Sequence, residues 1–218
     1  MIDLLNTLLD FVLHIDKYLQ VWVSDYQALT YLILFTIIFM ETGFVVTPFL
    51  PGDSLLFAAG TVAAMDNQPL NVFVLIIILI VAAFSGDNTN YFIGRFLGGK
   101  VYEKNYRLIR REYLDRTHAF YEKHGGKTLI IARFMPIIRT FAPFVAGVGN
   151  MKYPRFLTFS IAGNIIWVVL FIAAGYLFGN IPFIKKNFSI VIVTIIFVSL
   201  LPMIYAMIRR YLPGNKSS

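Results

Sequence analysis

The sequence predicts an all-α polytopic membrane protein. Its plan is an inverted-topology repeat with two re-entrant hairpins facing each other, plus transmembrane helices and interfacial amphipathic helices. Three observations predict this. Hydrophobic residues make up 58% of the 218-residue chain and charged residues only 14%, against about 25% in a soluble domain, so the core needs lipid around it. Two long apolar stretches are broken by Pro, Gly and isolated charges. The chain also matches itself, in order, at a nearly constant offset.

Composition narrows the function classes. Cysteine is absent, which excludes disulfides, thiolate nucleophiles and Cys-based metal sites. The formal charge of +7 is read as basic loops facing cytoplasm and anionic lipid, not as a nucleic-acid surface. Residues Met1 to Asp16 carry Asp3, Asp10 and Asp16 and lack the basic start of a cleavable signal peptide.

The elements follow in order within a single membrane domain, residues 1–218. In residues 1–25, Leu4, Leu5, Leu8, Leu9, Val12 and Leu13 keep helical spacing among acids, an interfacial amphipathic helix. In residues 26–65, a charge-free run stops at Glu41, short of the about 20 residues a span needs. Gly43, Pro48, Pro51, Gly52 and Asp53 follow, then a second apolar run to Met65. This predicts the first re-entrant hairpin, whose irregular backbone survives at membrane depth only against protein or a wet cavity. Residues 69–94 form a transmembrane helix carrying the polar run Asp87, Asn88, Thr89 and Asn90. Residues 95–127 hold Arg95, Lys100, Lys104, Arg107, Arg110, Arg111, Arg116, Lys123 and Lys127 against Glu103, Glu112, Asp115 and Glu122. They predict a basic amphipathic segment, cytoplasmic by the positive-inside rule. Residues 128–151, with Arg133, Pro136, Arg139, Pro143, Gly147 and Gly149, repeat the broken pattern as a second hairpin. Residues 156–180 and 188–208 are charge-free or nearly so and predict two more transmembrane helices. Arg209, Arg210 and Lys216 put the C-terminus on the cytoplasmic side.

The repeat supports the hairpins. Phe49-Leu50-Pro51 matches Phe134-Met135-Pro136 at an offset of 85, and Tyr91-Phe92-Ile93-Gly94 matches Tyr176-Leu177-Phe178-Gly179 at 85. Between them, Phe57-Ala58-Ala59-Gly60 resembles Phe144-Val145-Ala146-Gly147 at 87. A hairpin returns to its own side and a span crosses once, so consecutive repeats are inverted if residues 95–127 do not cross. Such repeats are a recurring transporter plan, with substrate at the broken elements.

Glu41, Asp53, Asp87, Arg133 and Arg139 are charges inside predicted membrane segments, each costing roughly 2.5–3.5 kcal/mol at the bilayer centre. Facing hairpin tips would bring Glu41 and Asp53 against Arg133 and Arg139. Arginine presents a planar, permanently charged fork to phosphate or carboxylate, so Arg133 and Arg139 are the candidate anion-binding pair. A carboxylate in low dielectric resists ionisation, so Glu41 and Asp53 are candidates to load and release a proton. Pro51, Gly52, Pro136 and Pro143 would hold the tips open. Asp87 and Tyr91 are supporting candidates, with Asp87 read either as functional or as satisfying backbone or Tyr91. The alternative for all these charges is a set of buried salt bridges that only lock the hairpins together. His14, His118 and His124 have no metal-ligand spacing. No nucleophile–base set is visible, so no enzyme activity, metal or cofactor is expected.

At these motifs the chain resembles the DedA family, the bacterial members of the group also called VTT or SNARE-associated membrane proteins. The segments that carry the resemblance are Glu41-Thr42-Gly43, Phe49 to Leu56, Gly86-Asp87 through Tyr91 and Gly94, Phe120 to Lys127, and Ala132 to Pro143 with Ala146-Gly147. The resemblance implies a bacterial inner-membrane protein with two facing re-entrant hairpins. It implies transport of a lipid, undecaprenyl phosphate or a related anionic lipid, linked to the proton motive force and serving the cell envelope. It also implies functional roles for Glu41, Asp53, Arg133 and Arg139, where the sequence shows no departure. The expected partners are membrane lipids and no nucleic acid, with a homo-oligomer left open. A cation/proton antiporter, a phospholipid scramblase and a non-transporting scaffold for envelope or division proteins stay as alternatives.

Overall fold

The structure, a computed structural model, describes residues 14–44, 52–65, 70–104 and 126–211. Predicted features on residues 1–13, 45–51, 66–69, 105–125 and 212–218 lie outside the described residues, Pro51 among them. The described residues are helical throughout their elements: α1 Ile15–Tyr26, α2 Leu29–Gly43, α3 Gly52–Ala63, α4 Val72–Lys104, α5 Lys127–Ala132, α6 Pro136–Val148, α7 Tyr153–Phe178, α8 Pro182–Lys186 and α9 Phe188–Tyr211.

Among the described residues, two helices are long and apolar enough to cross a membrane. Val72–Gly98 of α4 and Tyr153–Phe178 of α7 have mean hydropathies of 2.1 and 2.2 over their most apolar stretches. Their outer faces are apolar and uncovered, with Phe73, Ile77, Val81, Phe92 and Phe96 exposed along α4. Side chains of this kind belong against acyl chains, as large exposed apolar faces are rare on soluble monomers. The Asn71 carboxamide oxygen accepts the Phe73 and Val74 amides at 2.9 and 3.2 Å, capping the start of α4.

Helix α4 does not stop near residue 94. It continues to Lys104, so the first ten residues of the predicted 95–127 segment prolong the helix. The polar run inside it does not break the helix because each side chain finds a partner. Asn88 donates to the Phe84 carbonyl at 2.8 Å and Thr89 to that of Ser85 at 2.9 Å. Asn90 reaches across to the carbonyls of Thr42 and Thr140. A short helix, α8, stands where sequence showed only a connection.

The stripe expected from Leu4, Leu5, Leu8, Leu9, Val12 and Leu13 lies outside the described residues, and the described helix α1 carries an apolar stripe of its own. Ile15, Leu19 and Val23, at i, i+4 and i+8, are completely buried, and α1 packs on α3. The stripe seals protein rather than resting only on lipid. Gln27 ends the helix at a positive φ of 43°, and the Thr30 hydroxyl donates back to the Trp22 carbonyl at 2.9 Å.

Helix α3 is central. Every residue from Gly52 to Val62 is buried, as expected of a helix apolar on all faces. Its 12 residues span about 18 Å, short of the about 30 Å hydrocarbon core. It packs on α7, while α6 packs on α4, so the short helix of each sequence repeat lies on the long helix of the other. Glycines make both crossings close. A Cβ at Gly94 would stand 2.1 Å from the Phe144 carbonyl oxygen, and one at Gly147 would stand 2.0 Å from that of Tyr91. At the other crossing, a Cβ at Gly175 would lie 1.9 Å from the Phe57 oxygen, and one at Gly60 would lie 2.2 Å from the Ile172 oxygen. Phe57 and Phe144, and Gly60 and Gly147, are the residues that match in the sequence repeat. Small residues permit this backbone approach where lipid supplies no hydrophobic drive between helices.

Candidate functional site

The site begins with two chain breaks. Pro136 opens α6 and disfavours helical geometry in the residue before it, and Met135 is extended at φ −117°, ψ 104°. Helix α5 therefore ends at Ala132, with Arg133 as its C-terminal cap. Arg139 lies one turn into α6. Pro143, inside the same helix, has no amide to offer the Arg139 carbonyl. On the other side α2 runs out just after Glu41, with Phe44 extended, and Asp53 lies in the first turn of α3, where a carboxylate suits the helix dipole. Gly52 makes room beside it: a Cβ there would fall 1.9 Å from Glu41 Oε2.

These breaks bring five charges together, each no more than 6% exposed. The Arg139 fork is shared, with Nη2 donating to Glu41 Oε1 and Nη1 to Asp53 Oδ1. Asp53 also accepts the Trp167 indole N–H at 2.7 Å and the Ser199 hydroxyl at 2.7 Å. Arg133 Nη1 donates to Asp87 Oδ1 at 2.9 Å. The second Asp87 oxygen accepts Ser160 Oγ at 2.6 Å and Asn164 Nδ2 at 3.0 Å. The Trp167 ring lies under both guanidiniums, 4.9 Å from Arg139 and 5.3 Å from Arg133, within cation–π reach.

The predicted quartet thus meets in part. Arg139 joins Glu41 and Asp53 as expected, but Arg133 pairs with Asp87 instead of Glu41 or Asp53. Asp87 lies on α4, opposite the α5–α6 break, and so reaches Arg133 directly. Nor does Asp87 bond to Tyr91. That hydroxyl donates to the Met151 carbonyl at 2.5 Å, and the ring stacks on Phe156 at 4.3 Å, where Tyr91 braces the α6–α7 turn. Asn150 makes this turn at a positive φ of 53°.

A small cavity adjoins the charges, lined by Asp87, Arg133, Arg139, Pro143, Ser160 and apolar neighbours. Its space of about 10 Å³ for a water's centre admits about one water molecule. Several buried polar atoms have no hydrogen-bond partner among the described residues: Arg133 Nε and Nη2, Arg139 Nε, Glu41 Oε2 and Asn164 Oδ1. Buried donors left in this way cost about 1–3 kcal/mol each, more when charged. They mark places where the site has bonding capacity to spare.

The VTT domain family matches residues 50–177, more than half of the chain. The chain is 53% identical over 209 residues to Protein DedA of Escherichia coli K12, covering 95% of each chain. The chain belongs to the DedA family. Other family relatives include an uncharacterized membrane protein of Mycobacterium tuberculosis H37Rv, Rv0364, 44% identical over 80% of this chain and 77% of its own. The inner membrane protein YqjA of Escherichia coli K12 is 33% identical over 76% of this chain and 78% of its own. No solved structure matches. The VTT region of this DedA-family chain holds Asp53, Asp87, Arg133 and Arg139, while Glu41 precedes it.

Sequence reasoning missed Ser160, Asn164, Trp167 and Ser199. Three of them had a signal. Ser160, Asn164 and Trp167 stand at i, i+4 and i+7 in a span otherwise rich in aliphatic and aromatic residues, which puts them on one helix face. Ser199 had none, because a lone serine in an apolar helix usually bonds to its own backbone.

Proposed function

We propose that this DedA-family protein is a transporter of an anionic lipid, a proton-linked flippase of undecaprenyl phosphate or a related polyprenyl phosphate in the bacterial inner membrane. One observation carries the reading: three buried carboxylates, Glu41, Asp53 and Asp87, face only two buried guanidiniums, with spare Arg133 and Arg139 donors beside a cavity. If all five ionise, one negative charge is in surplus, and it falls on the pair that shares Arg139. A proton on Glu41 or Asp53 removes the surplus and releases part of the Arg139 fork. A phosphate then takes the fork that the carboxylate gives up, so proton loading and anion binding are linked at one side chain.

The supporting architecture is an inverted repeat with α2–α3 and α5–α6 as facing re-entrant hairpins. Its support is the short, buried α3 and the exchanged packing of α3 on α7 and α6 on α4. The same plan puts residues 95–127 and the C-terminus in the cytoplasm, with α9 as a further crossing helix. The substrate is moved rather than covalently changed. A one-water cavity does not fit a phosphate headgroup, so the described arrangement is a closed state, and binding requires α5 and α6 to separate from α4 and α7.

The test is reconstitution. Vesicles carrying the protein should flip a labelled polyprenyl phosphate faster under a pH gradient, and Arg139→Lys, which cannot span two carboxylates, should abolish the difference from empty vesicles. Equal flipping by wild type and variant rejects the reading. A second reading, cation/proton antiport, is favoured by the cavity's size. It predicts dissipation of a cation gradient with no lipid movement.

A further inference from the structure

We infer that Trp167 is a positioning residue that links the Asp53–Glu41–Arg139 group to the Arg133–Asp87 group. Its indole N–H holds Asp53 Oδ1 at 2.7 Å. Its ring carries the Arg139 guanidinium at 4.9 Å and that of Arg133 at 5.3 Å. The ring is completely buried, so it cannot turn without moving these groups. On the same face of α7, one and two turns earlier, Asn164 and Ser160 hold Asp87. A single helix face therefore presents an uncharged donor to one acid of each group.

The consequence follows from bonding. The charged groups facing Asp53 are Arg139 from α6 and Glu41 from α2. Among the described residues, the other neighbours of α3 contribute no charge there: α7 presents Trp167, α9 presents Ser199, and α1 buries Ile15, Leu19 and Val23. When Asp53 takes a proton, its pull on both the indole N–H and the Arg139 fork weakens. The indole shifts, and both guanidiniums that rest on it shift with it. Protonation on the α2–α3 side is thereby felt at Arg133 without any direct contact between Asp53 and Arg133.

The link from Asp53 to the ring does not depend on what is transported. Its meaning as coupling rests on the transport reading above, and the experiment separates the two. The chain has two tryptophans, Trp22 and Trp167, so Trp22→Phe leaves Trp167 as the only indole. In purified Trp22→Phe protein, Trp167 emission should change with pH, and Asp53→Asn should alter that change. An emission that does not titrate, or that titrates identically with Asp53→Asn, overturns the inference. In vesicles, Trp167→Phe keeps a smaller ring under the arginines and removes the N–H that Asp53 accepts. The loss of flipping relative to wild type should differ between acidic and alkaline pH. An equal loss of rate at every pH is what a purely structural tryptophan gives, and it overturns the coupling role. If wild type flips no lipid while the emission titrates as stated, the transport reading fails and the Asp53–Trp167 link stands.

Discussion

Gly52 is the residue that lets Glu41 reach Arg139: the space its missing side chain leaves is filled by the Glu41 carboxylate, 1.9 Å from where a Cβ would be. The obstacle created by Gly52→Ala is the end of a flexible side chain and not backbone. The variant should therefore fold, with helix content by circular dichroism unchanged, while Glu41 swings off Arg139. A loss of about 1.4 kcal/mol in that contact would appear as a tenfold fall in flipping. Unchanged flipping would mean that the Glu41–Arg139 contact is dispensable.

Arg139 serves two acids, so its removal should be felt more than that of any single acid. Arg139→Ala leaves Glu41 and Asp53 buried together without a cation. Breaking a buried pair in this way costs about 3–5 kcal/mol, and the melting temperature in detergent should fall accordingly. Glu41→Gln leaves Arg139 with Asp53 and should melt much closer to wild type. A smaller drop for Arg139→Ala than for Glu41→Gln would contradict the shared fork.

Arg133 and Asp87 form a separable pair, which a double-mutant cycle can measure. Arg133→Gln and Asp87→Asn should each destabilise the protein, and the double variant should lose less than the sum of the two. The expected coupling is about 0.5–3 kcal/mol for groups in contact. The same cycle between Arg133 and Glu41 should show a markedly smaller coupling, because no direct bond joins them. A Glu41 coupling as large as that of Asp87 would restore the pairing expected from sequence.

The glycines at the helix crossings should be far less tolerant than one that only faces a neighbour. Gly94→Ala and Gly60→Ala put a methyl against carbonyl oxygens at 2.1 and 2.2 Å, where only movement of whole helices gives relief. Both should lower thermal stability or expression sharply. Gly163→Ala meets nothing nearer than 3.6 Å and should be within about 0.5 kcal/mol of wild type, as is usual away from special features. Equal behaviour of the three would argue against the close crossings.

Much of this was legible without coordinates. The charges that gather at the site, Glu41, Asp53, Asp87, Arg133 and Arg139, were visible because an ionised group in an apolar run has to be paired or used. The break at Arg133–Met135 was visible because Pro136 restricts its predecessor. The true end of α4 was not, since a polar run ends a helix only when it lacks partners, and those of Asn90 lie on α2 and α6, about 50 residues away in either direction.

The sequence by itself determined that the chain is helical and belongs in a membrane, that two of its apolar stretches are interrupted, and which side chains must find counter-charges. Each of these follows from local chemistry: apolar content, proline geometry, and the cost of a lone charge in low dielectric. Only the tertiary structure decided that Arg133 takes Asp87, that Arg139 takes two acids, and that Trp167, Ser160 and Asn164 of α7 hold an acid of each group. The requirement for a partner does not say which partner. That choice is made by which helices can approach closely, and here the glycines at α3–α7 and α4–α6 admit one arrangement of backbones, and with it one set of ion pairs.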